Sequence, residues 1–170
     1  RAVAAARALL DGWLPAGVPF LGICLSHQLL ALHAGGAVAT RADGTLLGFE
    51  TVEAAAGDGL FEGLGGRVVL AESHHDEVTA APPGWTVAGR SASCGVEALC
   101  SPDGRAWSVQ GHPEFPAEYM RERLQANNGP SGGLRGAPGA RYDAGRLGIL
   151  GSFLALAGIR VSGRAGSTGP

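Results

Sequence analysis

Apolar positions change period several times along the chain. Between Ala2 and Leu14, the residues Val3, Leu9, Leu10 and Trp13 fall near helical spacing and stop before Pro15, which predicts a helix. The short apolar run from Val18 to Ile23 suits a buried parallel strand. After Cys24, the residues Leu25, Leu29, Leu30 and Leu32 return to a helical period until Gly35 and Gly36 end it. Strand, sharp turn carrying Cys24, and helix therefore follow one another.

From Ala37 to Gln110 the pattern shortens. β-rich stretches are expected at Ala37 to Thr40, Leu46 to Glu53, Arg67 to Glu72, Trp85 to Arg90, Val96 to Cys100 and Ala106 to Gln110, separated by Gly, Pro and Asp. They lie too close together for ordinary helices between them, so most should pair antiparallel or extend the first sheet, giving an α/β domain with a mixed sheet. Pro116 to Gln125 reads as a short helix with its proline near the start. Asn127 to Ala140 is rich in Gly, Pro and Ser and reads as a linker. Asp143 to Ala157 regains a helical pattern that could dock back on the sheet, Gly158 ends it, and Ser162 to Pro170 reads as a disordered tail. The expected organisation is a domain over 1–125, a linker over 126–142, a C-terminal helix over 143–158 and a tail over 159–170.

Composition narrows the function classes. With 170 residues, 45% apolar content and a net charge of −2, the chain fits one ordinary soluble domain. A pI near 6.2 gives no basic footprint for nucleic acid, and there is neither an 18-residue apolar run nor a signal-peptide pattern, so the reading is cytoplasmic, with no membrane or nucleic-acid partner. All 13 basic residues are Arg, a bias that fits genome composition better than a need for guanidinium chemistry. Cys24, Cys94 and Cys100 are odd in number and contain no C-x-x-C pair, which favours thiols over a disulfide framework or a cysteine zinc site. Cys94 and Cys100 read as small buried apolar residues.

Cys24 is different because of its turn. A nucleophile between a strand and a helix is held exposed above the sheet edge, with the helix N-terminus and its N–H groups aimed at a developing oxyanion. The helix dipole also favours the thiolate. The best candidate base is His112 in Ser108-Val109-Gln110-Gly111-His112-Pro113-Glu114-Phe115, at a strand end, where Glu114 can turn back to orient the imidazole. His74, His75 and Asp76 invite a metal reading, but neighbouring residues on a strand end point in opposite directions, and a loop, solvated or at a pocket, is the better reading. His27 and His33 read as structural or surface residues.

The two segments Gly22-Ile23-Cys24-Leu25-Ser26-His27-Gln28 and Gln110-Gly111-His112-Pro113-Glu114 resemble the motifs of the class I, triad-type glutamine amidotransferases, G-x-C-x-G-x-Q followed later by H-P-E. Ser73-His74-His75-Asp76-Glu77-Val78 is similar to the S-H-x-D-x-V segment of GMP synthase-like amidotransferases, and Gly111 fits the same group, since many other branches carry Phe before the histidine. The resemblance implies a three-layer, flavodoxin-like α/β fold with a mixed sheet, truncated at its N-terminal side. Family domains place strands before the first helix, with a glycine-bearing loop that gives the second oxyanion N–H.

It further implies that Cys24 attacks the amide of L-glutamine to form a γ-glutamyl thioester, that His112 is base and then acid, and that Glu114 orients it. The N–H of Leu25 would supply half of the oxyanion hole, and Gln28 would contact glutamine, with His74 and His75 at the border of the pocket. No cofactor and no metal are implied; an ammonia-accepting synthase, as a domain or a separate chain, is. Alternatives of other classes are a γ-glutamyl hydrolase-type cysteine peptidase and an inactive glutamine-binding or regulatory domain. Ser26 stands where the family has glycine, and if that position needs a positive φ the strain would be about 1 kcal/mol.

Overall fold

The computed structural model describes residues 2–55, 59–126 and 140–159. Among these, α1 (Ala2–Trp13) leads through β1 (Phe20–Ile23), α2 (Leu25–His33), β2 (Ala37–Thr40) and β3 (Leu46–Ala54) to a 3-10 turn at Gly59–Phe61. β4 (Arg67–His74), β5 (Asp76–Ala80), β6 (Thr86–Arg90), β7 (Ala98–Cys100) and β8 (Ala106–Val109) follow, and α3 (Ala117–Ala126) and α4 (Ala140–Leu156) complete the order. Six strands form one sheet, β1-β8-β7-β6-β3-β4, while β2 and β5 make a separate antiparallel ribbon. β1 and β8 are parallel and every other pair in the large sheet is antiparallel, so the mixed α/β sheet expected from the pattern is present.

Side-chain alternation divides the core. Along β4, Val68 and Leu70 enter a cluster with Val52, Trp107 and Val109, whereas Val69 and Ala71 face a second cluster with Phe49 and Met120. All four positions of β8 are buried, as fits a strand with neighbours on both sides. The sheet curls far enough that the chain leaving β8 meets β4: His112 N–H donates to the Ala71 carbonyl at 2.7 Å. That closure brings two sequence-distant segments to one place.

α4 docks along β4, where the sheet would otherwise present an unpaired edge. Ile149 and Phe153 pack on the first cluster and Tyr142 on the second. The helix begins at Ala140, ahead of the expected Asp143, because Tyr142 is drawn in by an edge contact with Phe49 at 4.9 Å and a 2.6 Å hydrogen bond to the Phe115 carbonyl. Most of the expected linker, and the expected tail beyond residue 159, lie outside the described residues.

The expected first helix is present, and one local expectation, at the segment after His75, is corrected. The row that packs with Leu29 and Leu30 of α2 is Ala6 and Leu10 of α1 with Leu14 just beyond it, one turn apart, Leu10 buried and the other two partly so; Val3, Leu9 and Trp13 are about half exposed. Spacing alone could not say which of two apolar rows faces inward. The segment after His75 is a strand rather than a loop, since β5 pairs with β2 across Val38 and Val78. No described helix is long and apolar enough to cross a membrane.

Candidate active site

Cys24 stands between β1 and α2 with φ 49° and ψ −105°, the one non-glycine residue with positive φ among those described. Such a conformation costs on the order of 1–3 kcal/mol and persists only where its surroundings hold it. Here Cys24 N–H donates to the Val109 carbonyl at 2.9 Å and the Cys24 carbonyl accepts from Gln28 N–H at 3.1 Å, tying the turn to β8 and to the first turn of α2. Gly22 permits the approach: a Cβ there would sit 3.1 Å from Ser26 backbone and from Ser108 Cβ. Ser26 itself lies within α2 without a positive φ, so the strain expected at that position is absent and sits on the cysteine instead. Because α2 starts at Leu25, the N–H groups of its first turn have no helical acceptor and remain available at the Cys24 end.

His112 follows β8 by three residues. Its Nδ1 is 2.7 Å from Glu114 Oε1, and its ring lies flat on Phe115, 4.0 Å between centroids and 3° between planes. With Nδ1 committed to Glu114, Nε2 is the atom left for the Cys24 thiol. Burial alone would lower this imidazole, but hydrogen bonding and charge from Cys24 and Glu114 outweigh it and raise His112 to about 9. The Phe115 stack and the Tyr142 hydroxyl on the Phe115 carbonyl brace the turn from outside. Gly111 is required by space, since a Cβ would lie 2.7 Å from Leu70 Cβ and run into the Glu72 carboxyl.

Beneath the cysteine lies a buried polar layer. Gln28, 7% exposed, donates through Nε2 to the Asp76 carbonyl at 2.7 Å and to Gln110 Oε1 at 3.2 Å. Gln110 Nε2 reaches Cys24 Sγ at 3.6 Å. His27 is fully buried, with Nδ1 on Ser108 Oγ at 2.8 Å and Nε2 on the Val96 carbonyl at 3.2 Å, and burial lowers it to about 4, so it is a neutral structural group as expected. His33 lies at the end of α2, 3.6 Å from Asp11.

Two carboxyls in this layer carry no signal in the sequence. Glu72 and Glu97 are completely buried, and burial raises each to about 8, with Glu97 pushed further by the Glu72 charge. Glu72 Oε2 lies 3.3 Å from His74 Nε2 without a well-formed hydrogen bond, and Ser91 Oγ donates to Glu97 at 2.6 Å. His74 is 4% exposed, is lowered mainly by burial, and bonds the Asp76 carbonyl through Nδ1 at 2.8 Å. His75 is exposed and bonds Thr45 Oγ1 at 2.7 Å. Cys24, His112 and Glu114 thus converge, while the two histidines of the β4 to β5 turn hold that turn in place.

Cys94 is buried and its thiol is pushed up by burial, in keeping with an inert packed residue. Among the described residues, no group of three or more His, Cys, Asp or Glu side chains is placed to hold a metal.

Comparison with known proteins adds independent observations. The family profile described as glutamine amidotransferase class-I matches residues 2–128. A glutamine-hydrolyzing GMP synthase of Thermus thermophilus is 48% identical over 98 residues, 58% of this chain and 19% of that protein. One subunit of a glutamine-hydrolyzing GMP synthase from Pyrococcus abyssi is 39% identical over 121 residues, 70% of this chain and 63% of that one. A crystal structure of a glutamine amidotransferase from Thermotoga maritima shares the fold, with a TM-score of 0.75 at 24% identity over 91% of this chain and 69% of that chain. The chain therefore spans less than two thirds of the length of either sequence relative.

Proposed function

Because the chain belongs to the class I glutamine amidotransferase family, we propose that it hydrolyses the side-chain amide of L-glutamine and delivers the ammonia to a partner synthase of the GMP synthase type. The observation that carries this reading is Cys24 at a strained strand-to-helix turn, with His112 beside it and Glu114 on the far side of the imidazole at 2.7 Å.

The chemistry follows from those positions. His112 takes the thiol proton, and the sulfur of Cys24 attacks the amide carbon, forming a C–S bond while the carbonyl oxygen gains charge. The Leu25 N–H stabilises that oxygen at the start of α2. His112, now carrying the thiol proton, passes it to the amide nitrogen as the C–N bond breaks and ammonia leaves. A water molecule then gives a proton to His112 and attacks the thioester carbon; the C–S bond breaks and glutamate departs. Glu114 holds the imidazole orientation and offsets its charge through both halves.

Glutamine recognition falls on the same elements. The Nε2 of Gln28 is engaged within the protein, so a contact from Gln28 to the substrate would use Oε1. His74 would act through the backbone of the turn it fixes, and His75 stands exposed beside it. The ammonia acceptor is assigned by analogy with the two GMP synthases above. The test is glutamate formation from glutamine by the wild-type protein and by Cys24→Ala. We expect turnover in the first and none in the second; a folded wild-type protein that releases no glutamate sinks the reading, and turnover of γ-glutamyl peptides alone would replace it with the γ-glutamyl hydrolase activity.

A further inference from the structure

The amides under Cys24 can be oriented atom by atom. A primary amide presents one end that donates and one that accepts, and its neighbours determine which end points where. Gln28 meets the carbonyl oxygen of Asp76 at 2.7 Å, an atom that can only accept, so the nitrogen is the end that faces it. The other hydrogen of that nitrogen points to Gln110 at 3.2 Å, which fixes Oε1 as the Gln110 atom on that side. What remains is the Gln110 nitrogen, 3.6 Å from Cys24 Sγ. Gln110 is completely buried, so solvent cannot take the place of this donor.

We propose that Gln110 is a further catalytic residue, donating a hydrogen bond to the Cys24 thiolate, and that Gln28 is the positioning residue that keeps its donor end turned to the sulfur. The proposal rests on the reading of Cys24 as the nucleophile. Three successive functions then come from one short segment: the Val109 carbonyl holds the Cys24 backbone, the Gln110 side chain holds its sulfur, and His112 exchanges its proton. A bond to a charged acceptor is stronger than one to a neutral acceptor, so the Gln110 N–H favours thiolate over thiol. The fixed orientation matters because a flipped amide would turn an oxygen toward the sulfur and disfavour the thiolate.

A donor on a thiolate has two opposed effects, and together they give a signature that packing does not. It raises the thiolate population, and it lowers the nucleophilicity of each thiolate, with a Brønsted coefficient of about 0.4–0.5. If losing the donor reduces the thiolate population about tenfold below its midpoint, the remaining thiolate reacts about threefold faster. The net result is a rate about threefold lower on the acid side and about threefold higher on the alkaline side.

The experiment is alkylation of Cys24 by iodoacetamide across a pH series, followed on the Cys24 peptide by mass spectrometry, in wild type, Gln110→Met and Gln110→Asn. Methionine removes the donor at similar length, and asparagine withdraws it while keeping a buried amide; circular dichroism and the urea midpoint establish that each variant is folded before its profile is compared. Rate profiles that cross that of the wild type, with the midpoint moved upward, are expected, together with a lower kcat for glutamate formation at unchanged KM. Gln28→Met should shift the midpoint the same way by less. Profiles that coincide with wild type, or that differ by a constant factor at every pH, would overturn the proposal. Alkylation needs no glutamine, so failure of this inference is read separately from failure of glutaminase activity in the wild type.

Discussion

Replacing Glu72 by Gln should flatten the pH dependence of stability on the alkaline side. Glu72 is fully buried against His74 and Gly111, and burial raises it from 4.5 to about 8. Below pH 4.5 the carboxyl holds its proton in both folded and unfolded chains and contributes no pH dependence. Between 4.5 and 8 the unfolded chain has released the proton and the folded one has kept it, so stability falls as pH rises, by up to about 1.4 kcal/mol per unit. Glu97, raised to about 8, and His112, raised to about 9, have the same sign. For His112 the stabilisation is complete below 6.5 and disappears as pH rises through 9. His27, lowered to about 4, and His74, also lowered, act oppositely but only below their unfolded value of 6.5.

The interval from pH 6.5 to 8 therefore isolates the buried carboxyls and His112. Across it Glu72 accounts for about 1.5 kcal/mol of lost stability. Glutamine has the same shape, and its amide stands in for the protonated acid, so Glu72→Gln should already exceed wild type at pH 6.5, and its advantage should grow by about 1.5 kcal/mol between pH 6.5 and pH 8. Urea unfolding at both pH values, with equal m-values, measures the difference. A gap between variant and wild type that is the same at both pH values would refute the reasoning, because it would mean that Glu72 does not titrate in this range.

Other substitutions probe the frame around the site. Cys24→Gly should be more stable than Cys24→Ala by about 1 kcal/mol, because φ 49° suits glycine and not alanine; thermal unfolding of the pair checks it. Gly111→Ala should destabilise by about 1–3 kcal/mol, since its Cβ lands on Leu70 and the Glu72 carboxyl, and urea unfolding would show a lower midpoint. Tyr142→Phe removes the hydroxyl that bonds the Phe115 carbonyl and should cost about 1 kcal/mol, read by the same unfolding measurement.

The sequence carried the strand, turn and helix around Cys24 because their signals are local: an apolar run, a change of period and a pair of terminating glycines. His112 and Glu114 were legible for the same reason, two residues apart at a strand end. What remained hidden depends on partners far along the chain. β5 carries a single buried apolar residue, Val78, and becomes a strand only by pairing with β2 almost forty residues earlier. Gln110 looks like an ordinary strand-end residue until the parallel pairing of β1 with β8 brings it against Cys24 and Gln28. Glu72 and Glu97 look like solvent-facing charges in short strands, and only the curl of the sheet encloses them. On α1, two apolar rows competed and the smaller Ala6, Leu10 and Leu14 row won, because it meets α2.

The most direct test of the central claim is covalent labelling with the glutamine-like electrophile 6-diazo-5-oxonorleucine, located by peptide mass spectrometry. One adduct on Cys24, suppressed by excess glutamine and absent from Cys24→Ala, is the predicted result. No adduct on the folded protein, or an adduct on Cys94 or Cys100 that glutamine does not suppress, would contradict Cys24 as the glutamine-attacking nucleophile.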